Sequence, residues 1–562
     1  MRRHTIMIIG GTGVFGKRLV RHLSARRDVA LVVSSRDPAK AELLVQGLQD
    51  SAAPLHPIAL DCAVNLDERL DELKPHVVVD CSGPFQRATY DTARAVLRKG
   101  AHFVDLADAR DYLAGFAQAL DTLARTHGVA ALTGASSTPA LSTGVARQLT
   151  RGWARVDTID ISITPGGKSE VGRSVIDAVM SYAGKDIPVW RSGRLARTTG
   201  WRGGHVIDIP TLGRRRVAAV ETFDAEHLGS LLTVQSRVAF FAGLEFRIEQ
   251  YGIEAIAALR KRGLINNVRP LVPWLLKARR ITRILASDVG GMRVEISGLD
   301  AQRVPCRARW SLIARRDHGP FVPILPAAAA VDALIAGRVP AGAQLAHHAV
   351  SLRDILDQAR GYPVTTATSQ TQIEAGAFER ALGATVFKAL PKEVSRFHDP
   401  SGPPVWEGRA DVTGGRWIVP RVLARVFGFP KAGRQVPVTV TIDRDTSTDG
   451  VPVERWTRCF AGRQMTSLLR AETTGLLSER FGPLTFDIPV RPRPGGLEMP
   501  VSGWRIGRWK LPRLLAPQAA ARESTDDQGR FHFDVHLRAP MIGTIVRYRG
   551  WLVPLQRSPH PA

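Results

Sequence analysis

The run Gly10-Gly11-Thr12-Gly13-Val14-Phe15-Gly16 constrains this chain more than any other feature. It follows directly on Thr5 to Ile9, an unbroken apolar stretch of the kind a parallel strand buried on both faces requires. Beyond it, Leu19, Val20 and Leu23 share one face of a helix expected from about Val14 to Ser24. Strand, glycine turn and helix in that order form a phosphate cradle, because the helix N-terminus presents free N–H groups and a positive dipole end. In this reading Gly11 permits the tight turn, Gly13 lets the backbone approach a pyrophosphate, and Gly16 lets the helix pack closely on the strand. Gly11, Thr12, Gly13, Val14, Phe15 and Gly16 are therefore candidate cofactor-binding residues.

The next strand, Val29 to Ser34, leads into Ser35, Arg36 and Asp37. An acid at this point grips the ribose hydroxyls of NAD, whereas an arginine suits the 2′-phosphate of NADP. Ser35 and Arg36 favour NADP; Asp37 argues the other way. A third strand is expected at Pro57 to Leu60, ending in Asp61 as an adenine-edge contact, and a fourth at His76 to Asp80. Ser82, Gly83 and Pro84 then reach toward the nicotinamide half, or simply end the strand. A helix from Tyr90 to Arg98, a strand at His102 to Asp105, a helix from Phe116 to Arg125 and a strand at Val129 to Leu132 continue the alternation. This rhythm predicts an α/β doubly wound Rossmann domain over residues 1–150, with its ligand at the carboxyl edge of the sheet.

The segments GGTGVFG, SSRD, DCSGPF and GAHFVDLAD resemble the saccharopine dehydrogenase-like NADP-binding proteins. Gly319-Pro320-Phe321-Val322-Pro323 and Ala336-Gly337-Arg338 resemble that family's closing helix, so the likeness spans about residues 4–360, with the sharpest motifs in the first 110. It implies a mixed α+β substrate lobe over residues 151–361. Strands are expected at Val156–Ile163, Leu231–Val238, Met292–Ile296 and Val304–Ile313, and a helix at Val322–Leu334.

Residues 362–375, polar and β-branched, read as a linker. Helices near Phe378–Leu382 and Arg421–Phe427 and short alternating strands then predict a mainly antiparallel-β C-terminal α+β domain over residues 376–562. The strands are Val436–Ile442, Glu454–Phe460, Thr485–Val490, Phe531–Leu537 and Gly543–Trp551. Arg396-Phe397-His398-Asp399, Trp456-Thr457-Arg458-Cys459-Phe460, Glu479-Arg480-Phe481-Gly482-Pro483 and Tyr548-Arg549-Gly550-Trp551 resemble a bacterial domain of unknown function that commonly trails such Rossmann modules. The likeness assigns it no chemistry. His532, Asp534 and His536 share one strand face and could bind a metal or move protons, but a solvated face behind the apolar Phe531, Phe533, Val535 and Leu537 is the plainer reading. Trp456, Arg458 and Phe460 could grip an anionic head or stack in a core.

The formal charge of +25 rests on 65 Arg against 12 Lys, spread along the chain. A nucleic-acid partner or an anionic membrane surface would suit such a charge, but the even spread is what a GC-rich genome would produce, which is the plainer reading and leaves no nucleic-acid partner expected. Cys62, Cys81, Cys306 and Cys459 lie far apart, with no CxxC pair, so no metal site is expected and a reducing cytoplasm is the natural setting. The segment Ala255 to Ser287 contains no acid. Its Arg260, Lys261, Arg262, Arg269, Lys277, Arg279, Arg280 and Arg283 flank apolar residues that include Trp274, Leu275, Leu276, Ile284 and Leu285. This pattern suits peripheral membrane contact, or an amphipathic cover for the substrate lobe broken at Pro270 and Pro273.

The leading expectation is an NADP-dependent oxidoreductase acting on a small or lipid-like carbonyl, imine or enoyl group. A non-catalytic NADP-sensing or scaffold protein and a peripheral lipid-binding protein are the alternatives; oligomerisation is open. No proton donor stands out, because Tyr182-Ala-Gly-Lys185 lacks the Tyr-x-x-x-Lys spacing.

Overall fold

A computed structural model describes residues 3–555 except 171–179, 272, 275, 276, 278–281, 416, 427, 447–450, 513, 515 and 541. The first sheet is parallel and contains β1 (His4–Ile9), β2 (Val29–Ser35), β3 (Leu55–Ala59), β4 (Val77–Asp80), β5 (His102–Asp105) and β6 (Ala130–Thr133). Its order is β3-β2-β1-β4-β5-β6, extended beyond β6 by a parallel strand at Gly342–Leu345. Both faces are covered, which explains the unbroken apolar runs. Ile6, Ile8, Leu31, Val33 and Val79 enter one core, while Met7, Ile9, Val32 and Val78 enter the other.

The first of these cores continues through α1 (Gly16–Leu23) and the helix Leu325–Ile335, whose Ala327 to Ala330 are fully buried, into the substrate lobe. The closing helix therefore packs back on the first domain.

The substrate lobe is built on a second sheet. Its strands are β7 (Arg155–Thr164), β8 (Asp186–Arg191), β9 (Arg194–Thr199), β10 (His205–Ile209), β11 (Gly213–Ala219), β12 (Arg237–Ala242), β13 (Gly290–Leu299), β14 (Pro305–Ala314) and, after β15 (Gly342–Leu345) in the first sheet, β16 (Val364–Gln372). They are ordered β10-β11-β12-β7-β13-β14-β16, with β8 and β9 branching from β12.

Two expectations are corrected here. The sequence predicts a strand over Leu231 to Val238, but Asp224–Leu231 is a helix and the strand begins at Arg237. It predicts a linker over 362–375, but most of that segment is β16, paired antiparallel with β14 along nine registered positions. β16 is an edge strand exposed on most of its length, so its side chains show no burial pattern to read.

One face of this sheet is apolar: Ile159, Ile161, Val294, Ile296, Trp310 and Leu312 enter the shared core. The other carries Thr158, Asp160, Arg293, Glu295, Arg307 and Ser311. Such alternation normally marks a solvated face. Most of these residues are nevertheless buried, because β10–β11 and the C-terminal domain lie over them. Arg237 reaches across the domain boundary to Asp443 at 2.9 Å while holding Asp160 at 2.5 Å. Arg155 donates to the carbonyls of Ser401 and Gly402.

The C-terminal domain is one sheet, with thirteen strands among the described residues between Val405 and Pro554, antiparallel at every adjacent pair. Helices Ala377–Leu382, Ala384–Lys388 and Lys392–His398 pack on it. Phe378, Phe397, Trp406, Trp456 and Phe531 form its core around His398, whose Nε2 lies 2.6 Å from Glu523. The helix expected at Arg421–Phe427 runs over Ile418–Val426; Phe427 lies outside the described residues.

Candidate dinucleotide site

The glycine loop folds as a cradle, with its glycines in partly different roles from those expected. The positive φ falls at Gly10 (+68°), not Gly11, so Gly10 makes the tight turn. A Cβ on Gly11 would stand 2.9 Å from Val33 Cγ1, so its missing side chain lets the loop lie on β2. A Cβ on Gly16 would overlap the Gly10 carbonyl oxygen, so only glycine fits there. A Cβ on Gly13 would meet the Gly10 oxygen at 3.1 Å and nothing else nearby, so this position faces open space.

Helix α1 begins at Gly16, two residues later than expected. Gly11 N–H donates to Ser34 O and Gly13 N–H to Gly10 O, each at 2.9 Å. Among the described residues, the N–H groups of Val14, Phe15 and Gly16 take no carbonyl partner. The first turn of α1 holds no acid. These unpaired donors, the dipole end and the opening at Gly13 fit a dinucleotide pyrophosphate.

At the end of β2, Ser35 is buried. Its hydroxyl oxygen accepts from Thr12 Oγ1 at 3.1 Å and from Asp37 N–H at 3.2 Å, tying the loop to the strand. Arg36 is exposed and has no ion pair among the described residues. Asp37 is drawn to Lys40 at 3.2 Å and precedes the helix Pro38–Gln46. The acid that argued for NAD is thus engaged, while the arginine is free to meet a 2′-phosphate. Asp61, just past β3, accepts from Ala63 N–H at 3.0 Å in its own turn. Leu60 N–H donates to Ser35 O, which places Asp61 beside the Arg36 rim.

Past β4, Asp80 accepts from Ser82 N–H at 2.8 Å and Ser82 Oγ at 2.6 Å, and the Gly83–Pro84 bond is cis. The loop of Ser82, Gly83 and Pro84 therefore stands at the carboxyl edge beside Gly10, whose Cβ position would lie 3.0 Å from Ser82 Cα.

Sequence reasoning did not single out the acids behind this edge. Asp105 ends β5, is fully buried, and accepts from Thr133 Oγ1, Gly134 N–H and Ala107 N–H at 2.8 to 3.0 Å. Burial outweighs those donors and pushes its carboxyl up to about 7. Three residues on, Asp108 is exposed and receives Gln86 Nε2 at 3.3 Å. Burial, and then Asp108, raise the Tyr182 hydroxyl. Tyr182 packs against the Gly200–Trp201 turn of the substrate lobe. The usable signal for these acids was an Asp closing an apolar parallel strand.

The lobes are fastened beside this cleft. Arg110 donates to Glu226 at 2.6 and 3.0 Å, and Ser142 donates to the buried Asp224, whose carboxyl is pushed by burial up to about 6.

The C-terminal candidates are accounted for differently. Arg547 holds Asp534 at 2.6 Å, and His536 Nε2 lies 3.0 Å from Thr544 Oγ1. His532 is opposite Trp551 in the strand register. Arg458 stacks 4.8 Å from the Trp456 ring centre and donates to Ser467 and Glu479, which makes it part of the packed domain.

A parallel sheet with this strand order, a glycine cradle after β1 and an unpaired arginine after β2 define a dinucleotide-binding Rossmann domain. Residues 6–132 match the saccharopine dehydrogenase NADP binding domain, and residues 390–552 match a domain of unknown function, DUF4166. The chain thus joins a saccharopine dehydrogenase-type NADP-binding domain to a DUF4166 domain, and NADP is the cofactor of the former. Saccharopine dehydrogenase (L-Glu forming) from Saccharomyces cerevisiae is a similar solved structure, at 11% identity, 65% coverage of this chain, 100% of that chain and a TM-score of 0.48. DAP dehydrogenase from C. glutamicum is another, at 15% identity, 64% and 98% coverage and a TM-score of 0.35. No curated protein matches the chain.

Proposed function

We propose that the protein is an NADP-dependent oxidoreductase acting on a small or lipid-like carbonyl, imine or enoyl group. The observation that carries this reading is the pairing of the open cradle at Gly13 to Gly16 with the uncommitted Arg36. When bound, NADP supplies hydride transfer. The N–H groups of Val14, Phe15 and Gly16 would hold the pyrophosphate, Arg36 the 2′-phosphate, and Asp61 the adenine edge. Ser82, Gly83 and Pro84 would border the nicotinamide half. Asp108 is exposed at this edge, where a substrate can reach it, and receives Gln86 Nε2 at 3.3 Å. That makes it the group best suited to move a proton at this edge.

The test follows reduced-cofactor consumption across a panel of carbonyl, imine and enoyl compounds, with wild type and Asp108→Asn. Turnover of at least one compound, lost in the variant, supports the reading. NADPH binding without turnover of any of them favours the sensor or scaffold alternative.

A second reading, peripheral membrane contact, is favoured by one feature of residues 255–287. Trp274 is 70% exposed and Leu285 82%, with Leu264 and Ile284 also exposed. Lys277 lies 5.8 Å from the Trp274 ring centre. Exposed apolar side chains beside cations suit the interface of an anionic membrane. Val272, Leu275, Leu276, Arg279, Arg280 and Ile281 lie outside the described residues. Among the described residues no helix is long and apolar enough to cross a membrane.

A further inference from the structure

Where the polar face of the substrate lobe meets the C-terminal sheet, the two do not close completely. A cavity of about 340 Å³ remains between β14 and β16 on one side and the strands Gly433–Thr446 and Pro452–Phe460 on the other. Three arginines line it: Arg307 and Arg309 from β14, and Arg444 from the C-terminal domain.

The carboxylates beside them are already engaged. Asp445 is held by Arg455 at 2.8 Å. Glu454 accepts from Ala377 N–H at 2.8 Å and Trp456 Nε1 at 3.0 Å. Glu295, under the same wall, is taken by Arg309 at 2.7 Å.

Two of the arginines are left underpaired. Arg307 is 8% exposed, and its nearest carboxylate oxygen, on Glu295, is 3.9 Å away. Arg444 is 9% exposed, donates Nη2 to the Asp399 carbonyl at 2.7 Å, has no partner for its buried Nε, and forms no ion pair among the described residues. Its proton affinity is lowered, chiefly by desolvation. The charges of Asp157 and Glu454 act on it from beyond ion-pair distance, and removing a cation from water without a contacting counter-charge costs several kcal/mol. Guanidinium groups lining one cavity from two domains recover that cost best by binding a planar or tetrahedral oxyanion. The cavity volume lies near the lower end of small-ligand sites, roughly 300–1,000 Å³.

We propose that this cavity binds a small oxyanion, a phosphate or a polycarboxylate, clasped between the substrate lobe and the C-terminal domain by Arg307 and Arg444. Its occupant would tie the two domains together at a place separate from the dinucleotide cradle. The proposal does not depend on the oxidoreductase reading.

The experiment titrates pyrophosphate and citrate separately into the full-length chain by calorimetry, using wild type, Arg307→Gln, Arg444→Gln and Arg36→Ala. The two arms distinguish a phosphate from a carboxylate ligand. Saturable binding of either ion to wild type is expected, weakened at least tenfold in Arg307→Gln and Arg444→Gln and retained in Arg36→Ala. If Arg444→Gln does not fold, Arg307→Gln, on the opposite wall, carries the test. Absence of saturable binding by both ions in wild type would overturn the proposal. So would unchanged binding in the cavity variants, or loss confined to Arg36→Ala, which would place the ion at the 2′-phosphate position beside Arg36.

Discussion

Asp80 and Asp105 are register partners on the neighbouring parallel strands β4 and β5, so two buried carboxyls stand side by side at the carboxyl edge of the first sheet. Burial raises both, and the charge of Asp80 raises Asp105 further. Each is already used as an acceptor, Asp80 by Ser82 and Asp105 by the loop after β6. The pair thus fixes the loops after β4 and β6 at the carboxyl edge of the sheet.

This arrangement predicts a pH dependence. Asp105 has a carboxyl pKa raised from 3.8 to about 7 in the folded protein. Between those values the folded state holds a proton that the unfolded state has lost. Stability therefore falls as pH rises through this window, by up to about 1.4 kcal/mol per unit for one group. Asp105→Asn keeps an acceptor oxygen and removes the charge. Denaturant titrations at about pH 5 and about pH 8 should show a smaller pH loss in the variant than in wild type; equal losses would contradict the assignment.

The glycine loop predicts different outcomes for two of its positions. Gly13→Val should leave the fold intact and weaken NADPH at least tenfold, about 1.4 kcal/mol, because its side chain would fill the opening. Gly16→Ala should lower stability, by roughly 1–3 kcal/mol as overpacking does, because its Cβ would strike the Gly10 carbonyl. Thermal unfolding and cofactor titration of both variants separate the two effects.

Arg237 lies between Asp160 of the substrate lobe and Asp443 of the C-terminal domain. Arg237→Ala leaves the buried Asp443 and the half-buried Asp160 without their cation and should destabilise the chain by about 3–5 kcal/mol. Arg237→Lys, which keeps the charge but loses the fork, should recover part of it. Denaturant unfolding of the three proteins checks the ranking.

Anionic vesicles should bind the protein weakly and release it in high salt, since the Debye length falls to roughly 3 Å at 1 M. Replacing Lys277, Arg279, Arg280 and Arg283 with Gln should remove most of this binding and spare NADPH affinity, at about 1 kcal/mol per cation near the surface. Flotation at low and high salt reads the result. Wild type that ignores such vesicles at low salt would leave the segment a cover for the substrate lobe.

The first sheet was legible because strands covered on both faces, such as Thr5 to Ile9, must read as unbroken apolar runs, and because the turn after them tolerates only glycine at Gly10 and Gly16. Asp80 and Asp105 lay in telling segments but did not stand out, since an acid after a strand looks the same whether it ends at water or inside the protein. β16 was hidden because an edge strand exposed along its length carries no alternation. The polar residues of β13 and β14 showed the right period, but what covers them is remote in the chain: β10 and β11 well before them, and the C-terminal strands with Arg444 well after. The hairpins from Asp186 to Ala219 are short and rich in arginine, so little apolar periodicity marked them.

The central claim is that the cradle and Arg36 together hold NADP, and parallel titrations of NADPH and NADH test it most directly. Wild type should bind NADPH at least tenfold more tightly, and Arg36→Ala should lose that preference while keeping its weaker affinity for NADH. Equal affinities in wild type, or a preference that survives Arg36→Ala, would contradict the account.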